Sequence, residues 1–196
     1  MMSGSNLGAP INNFKMVNLF IIHGITGSSQ ENWFPWLKGK LELLGVNVII
    51  PDFPNPDNPK LFEWLDHFKQ YHSYFDENSI VVGHSLGTPF LLSLLEKHRV
   101  KAAFFVAGFS SLPNNQFKDK MSNFIKDFDW KKIKENCEIF YVFHSDNDPY
   151  VSIDKAEELK EKLQAELTIV PNAGHFNTAA GYDKFELLLK KIKEKL

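Results

Sequence analysis

Ser79-Ile80-Val81-Val82-Gly83-His84-Ser85-Leu86-Gly87 is the stretch that decides how the rest of the chain is read. Its first half is a β-branched apolar run entered from the turn-forming Asp76-Glu77-Asn78, the pattern of a buried strand. Its second half is G-x-S-x-G, and Phe90, Leu91, Leu92, Leu94 and Leu95 continue beyond it as an apolar helix. Strand, sharp turn and helix in that order describe a nucleophile elbow. A serine at such a turn is held in strained backbone geometry, and side chains two positions before and after it would collide with neighbouring elements. The turn aims the Ser85 hydroxyl into open space and sets the Leu86 N–H at a helix N-terminus, where negative charge is favoured. A bare G-x-S-x-G arises by chance in roughly one chain in fifteen of this length. The elbow therefore needs a base, an acid and a second oxyanion donor from elsewhere in the chain.

The composition narrows the setting. At 196 residues and 43% hydrophobic content the chain is expected to form one domain with a substantial core. Its formal charge is −2, from 22 basic and 24 acidic residues, and Arg99 is the only arginine. No field draws it to nucleic acid or to an anionic membrane, and bidentate clamping of phosphate has almost nothing to work with. Cys137 is the sole cysteine, which excludes an internal disulfide and any C-x-x-C metal or redox site. Residues 1–15 are polar and turn-rich and read as a flexible leader, leaving residues 16–196 for a single domain. No run approaches a membrane span, and the expected compartment is the cytoplasm.

Outward from the elbow, short apolar strands alternate with amphipathic helices. Val17-Asn18-Leu19-Phe20-Ile21-Ile22 is a buried strand ending at His23-Gly24-Ile25-Thr26-Gly27-Ser28. Trp33, Trp36, Leu37, Leu41 and Leu44 then recur at helical spacing until Gly45, and the two tryptophans read as core packing of that helix on the sheet. A strand over residues 46–50 runs into four prolines in nine residues, an extended loop. Leu61, Trp64, Leu65, Phe68 and Tyr71 trace a helix leading back to the elbow strand. After it come strands at residues 101–107, 137–144 and 167–170, with Ala156, Leu159 and Leu163 marking a helix. Phe185, Leu188, Leu189, Ile192 and Leu196 line a closing helix. This rhythm predicts an α/β fold: a mostly parallel, twisted sheet of about six strands with helices on both faces. Residues 108–136 interrupt the rhythm. There Phe117, Met121, Phe124 and Phe128 fall at helical spacing and predict an amphipathic helix forming a short lid. Phe109, Leu112 and Phe117 are its candidate substrate contacts.

In open parallel sheets functional groups gather at the carboxyl ends of strands, and two such ends carry the missing parts. Ser145-Asp146-Asn147-Asp148-Pro149-Tyr150-Val151 follows one strand, and Asn172-Ala173-Gly174-His175-Phe176 follows the last. A serine hydroxyl is a weak nucleophile near neutral pH, so it needs an imidazole to take its proton. The imidazole needs a carboxylate to fix its tautomer and stabilise its cation. His175 is the candidate base, because Gly174 permits a tight loop that swings the ring over the sheet edge. His67, His72 and His98 lie in helix-like surface stretches, and His144 belongs to a strand. His23 and His84 lie beside the site, but neither leaves a carboxylate-bearing loop. Asp148 is preferred as the acid, since Pro149 stiffens its loop and Val151 can anchor it. Asp146 competes, although it can cap its own turn. Asp52, at another strand end, reads as a loop cap. The second oxyanion donor in such an arrangement comes from the loop after the first central strand, here the Ile25 N–H, paired with that of Leu86.

The order Ser85, Asp148, His175 is that of α/β-hydrolases. More closely, the chain resembles the small serine hydrolases typified by retinoblastoma-binding protein nine and its bacterial relatives. The resemblance rests on His23-Gly24, Asn32-Trp33-Phe34-Pro35-Trp36-Leu37, Pro54-Asn55-Pro56 and Trp64-Leu65. The elbow, Ser145 to Pro149 and Gly174-His175-Phe176 complete the set, so it extends from about Val17 to the C-terminus. It implies Ser85 as nucleophile, Asp148 as acid, His175 as base, and carboxylesterase-like cleavage of small esters, thioesters or amides without a cofactor. Acyl transfer to an acceptor other than water would use the same residues. A protein-interaction module on a hydrolase scaffold is the rival from another class, and nothing in the sequence names a protein partner.

Overall fold

In the computed structural model the chain is described over residues 16–196; the leader expected at residues 1–15 lies outside the described residues. Six strands form one sheet in the order β2-β1-β3-β4-β5-β6, and every neighbouring pair is parallel. They are β1 (Asn18–Ile22), β2 (Asn47–Ile49), β3 (Ile80–His84), β4 (Ala102–Val106), β5 (Phe140–Ser145) and β6 (Glu166–Val170). The helices are α1 (Phe34–Glu42), α2 (Leu61–Phe68), α3 (Gly87–Leu95), α4 (Lys118–Met121), α5 (Trp130–Asn136), α6 (Ile153–Leu163) and α7 (Glu186–Lys193).

The strands alternate between two cores with the period of two that a pleated strand imposes. In β1, Phe20 and Ile22 face one core while Leu19 and Ile21 face the other; in β4, Ala103 and Phe105 oppose Phe104 and Val106. The first core is capped by α2, α3, α5 and α6 through Trp64, Phe68, Phe90, Ile133 and Leu159. The second is capped by α1 and α7 through Phe34, Leu37, Leu188 and Ile192. The split follows from topology. The chain moves outward from β1 to β2, then turns back past β1 to β3 and beyond. With right-handed crossovers, the reversal sends α1 to the opposite face from the connecting helices that follow, and only α7, after the last strand, joins it. The reversal leaves a crevice at the carboxyl ends of β1 and β3, where α/β sheets bind ligands.

Residues 108–136 depart from the expected single helix. One turn, α4, passes into a 3-10 turn at Ser122–Phe124 and then into extended chain at Ile125. The cause is local. Asn123 Oδ1 accepts a hydrogen bond from the Leu61 N–H at 2.7 Å, and its Nδ2 donates to the Pro59 carbonyl at 3.1 Å. These bonds to α2's entry compete with helical continuation. Met121, Phe124 and Phe128 are still buried, each inserting into the first core from a separate short segment. Cys137, at the end of this region, is 2% exposed, and burial pushes its thiol up to about 12. No described helix is long and apolar enough to cross a membrane.

Candidate active site

Ser85 occupies the turn between β3 and α3 with φ +52°, a left-handed value for a non-glycine residue. Such a backbone costs about 1–3 kcal/mol and survives only where the surroundings impose it. Here they do. A Cβ at Gly83 would lie 2.9 Å from the Gly87 backbone, and one at Gly87 would lie 2.3 Å from the Ile22 carbonyl oxygen. The Ser85 N–H is meanwhile tied to the Val106 carbonyl of the neighbouring strand at 2.9 Å. The serine is 5% exposed, at the floor of a cleft of about 170 Å³ that His175 also lines.

The candidate base and acid arrive on two loops clasped to each other. His175 Nδ1 donates to Asp148 Oδ2 at 2.8 Å, and the Tyr150 and Val151 N–H groups donate to Asp148 Oδ1 at 2.8 and 3.1 Å. Burial acts to raise the Asp148 carboxyl, but the His175 hydrogen bond and charge, with the two backbone donors, hold it below its ordinary value. The carboxylate therefore stays ionised and accepts from Nδ1–H, leaving Nε2 of a neutral His175 as a proton acceptor. Ser85 Oγ forms no hydrogen bond to a described residue, though His175 lines the same cleft. Asp146, the competing carboxylate, makes no bond to the histidine ring. Its Oδ1 accepts the Asn172 N–H at 2.8 Å, while Ser145 Oγ and Asn147 Oδ1 accept the Ala173 and Gly174 N–H groups. Asp146 thus belongs to the clasp between loops. Asp52 likewise accepts from the Ser29 N–H and hydroxyl, tying two loops together.

Ile25 lines the cleft beside Ser85, and Leu86 follows the serine at the start of α3. Among the described residues, neither Ile25 nor Leu86 commits its N–H to a hydrogen bond. Free donors at a helix N-terminus and in the facing loop can receive a developing oxyanion. Phe109 and Phe117 line the cleft with Met121 and Val151. Leu112 packs against the first core and is absent from the cleft wall.

Three histidines that the sequence left without a task turn out to staple the loops. His23 Nε2 accepts the Phe53 N–H at 3.2 Å, so its Nδ1–H donates to the Gly24 carbonyl at 2.8 Å and steadies the loop bearing Ile25. His84 Nε2–H donates to the His175 carbonyl at 2.8 Å, and His144 Nε2–H donates to the Val151 carbonyl at 2.9 Å. All three are buried, and burial lowers each below the ordinary imidazole value, His84 to about 3. His23 needs a neutral ring because its Nε2 accepts, whereas the His84 and His144 bonds are donated and burial alone disfavours their cations. The signal available in the sequence was position: His23 follows β1, His84 ends β3 and His144 is the penultimate residue of β5. Trp33 adds a further tie, its indole N–H donating to the Phe176 carbonyl at 3.0 Å. Among the described residues, no group of three or more His, Cys, Asp or Glu side chains is arranged to hold a metal ion.

The comparisons with known proteins agree with this architecture. The serine hydrolase family model matches residues 19–194. The hydrolase named YdeN from Bacillus subtilis (strain 168) is 35% identical over 175 residues, covering 87% of this chain and 91% of that protein. The serine hydrolase RBBP9 of Rattus norvegicus is 27% identical over 169 residues, covering 86% and 88%. The crystal structure of the B. subtilis YdeN product superposes with a TM-score of 0.86 at 30% identity, covering 92% of this chain and 98% of that one. Est1E from Butyrivibrio proteoclasticus, at 19% identity and a TM-score of 0.70, shares the fold over 93% of this chain and 88% of its own. By its elbow, its sheet and these relatives, the chain belongs to the serine hydrolase family.

Proposed function

We propose that the protein cleaves small carboxylic esters, thioesters or amides through an acyl-enzyme on Ser85. The observation that carries the reading is the 2.8 Å bond from His175 Nδ1 to an enclosed Asp148 carboxylate, in the cleft whose floor is the strained Ser85. His175 Nε2 takes the hydroxyl proton as Ser85 Oγ attacks the acyl carbonyl, and Asp148 stabilises the imidazolium. The Ile25 and Leu86 N–H groups receive the oxyanion, each donor contributing about 10²–10³ in rate. The imidazolium returns its proton to the departing alcohol, thiol or amine. Water then repeats the sequence on the acyl-enzyme and frees the acid. Phe109 and Phe117 form the acyl wall, residues 108–136 act as a short lid, and the small cleft favours short acyl groups.

A fluorophosphonate probe tests this reading directly. It should label the wild-type protein, lose all labelling in Ser85→Ala, and be slowed when short-chain esters compete for the cleft. Labelling that survives Ser85→Ala would overturn the assignment of the nucleophile.

A further inference from the structure

Glu31 is the only formally charged side chain among the described residues that line the cleft, the histidines aside. It is half-buried, and no Lys, Arg or His among the described residues pairs with it, although the chain carries 22 lysines and arginines. Asn32 Nδ2 donates to Glu31 Oε1 at 3.3 Å, a long contact from a neutral group. The backbone makes room for the carboxylate: a Cβ at position 27 would lie 2.6 Å from Glu31 Oε1, and Gly27 supplies none. Burial raises the Glu31 carboxyl, while hydrogen bonds from the Ser28 backbone and Asn32 offset part of that effect. An anion kept partly out of water beside neutral neighbours lacks the charge that would balance it. The same cleft is also lined by the apolar Phe109, Phe117 and Met121. The complement of such a cleft is a short hydrocarbon bearing a positive charge.

We infer that Glu31 binds a protonated amine on the acyl group of the substrate, so that amine-bearing short-chain esters or amides are preferred over their neutral isosteres. The inference rests on the acyl-enzyme reading above and adds to it a substrate class. The amine's N–H groups donate to the carboxylate, and its methylenes lie on Phe117 and Met121. Charge-assisted hydrogen bonds of this kind are worth roughly 10- to 100-fold in selectivity.

The test compares 4-methylumbelliferyl esters of glycine and 3-aminopropanoic acid with the propanoate and butanoate esters, in which a methyl group replaces the ammonium. Each kcat/KM is divided by the spontaneous hydrolysis rate, and wild type is measured against Glu31→Gln. Wild type should prefer the amine by about 10-fold or more, high salt should shrink the preference, and Glu31→Gln should abolish it. A ratio that is the same in both proteins overturns the inference. Fluorophosphonate labelling of both proteins separates the two claims. If both label and the ratio is unchanged, the Glu31 assignment alone fails; if neither labels nor turns over an ester, the acyl-enzyme reading fails first. A second measurement covers a Glu31→Gln variant that does not fold. Propylammonium should slow the labelling of wild type more than propanol does, and equal protection overturns the inference.

Discussion

The elbow and residues 108–136 border the same cleft but are held in opposite ways. At the elbow the constraint is backbone against backbone. Gly87 sits so close to the Ile22 carbonyl that any side chain would collide, and the Ser85 N–H is pinned to β4. In residues 108–136 the backbone is a string of short turns, positioned by single side chains such as Asn123 and by three apolar residues dropped into the first core. The first arrangement tolerates no variation at its glycines. The second can change shape by changing one side chain. On the proposed mechanism, chemistry rests on the rigid region and selectivity on the adjustable one.

The largest effect should come from the rigid side. Ser85→Ala and His175→Ala should each lower kcat by roughly 10⁶, because the members of such a unit fail together. Thermal melts should show the fold intact, since neither side chain fills a core. Next, Asp148→Asn should lower kcat by about 10⁴ by favouring the wrong imidazole tautomer. Asp146→Asn should cost far less and appear mainly as lost stability of the clasp. Steady-state kinetics on one ester rank the two, and the reverse order would reassign the acid.

Acid should also act on the rigid side. His84 is held near pKa 3 in the folded chain against about 6.5 when unfolded, so between those values the unfolded state binds more protons. Stability therefore falls as pH drops through that window, by about 2 kcal/mol from His84 at pH 5. His23 and His144 shift in the same direction, whereas residues 108–136 contain no histidine. Urea midpoints at pH 7 and pH 5 measure the loss, and His84→Gln should reduce its slope. The smallest effect belongs to the adjustable side. Phe117→Ala should move the preferred acyl length up by one or two carbons, each methylene being worth about 1–3 kcal/mol, with probe labelling retained. An equal loss on every ester would make Phe117 a scaffold residue.

The alternation of buried strands and helices, the elbow glycines, and the distant Asp148 and His175 were legible because each leaves a local trace. A β-branched run, a glycine pair, and a turn residue beside a strand end are visible without the fold. The broken helix after Phe117 was not legible, since the spacing of Met121, Phe124 and Phe128 satisfies a helix equally well. What breaks it is Asn123 reaching α2, a partner 62 residues away. The histidine staples were hidden for the same reason. His84 and His175 are 91 residues apart, and no pattern along the chain links them. Glu31 lies in a polar turn with no pattern along the chain to mark it, and only the fold places it in the cleft.

Cys137 has a use that catalysis does not exploit. It is the only sulfhydryl, it sits where α5 meets β5, and its Sγ leans on the Ile139 carbonyl at 3.4 Å. A thiol so enclosed, and so reluctant to ionise, can react with a disulfide reagent only during moments when that corner of the first core opens. The reaction rate under native conditions is then a clock for those openings, independent of turnover. Because residues 108–136 are anchored in that same core, the clock would report how often the packing beneath the adjustable half of the cleft lets go.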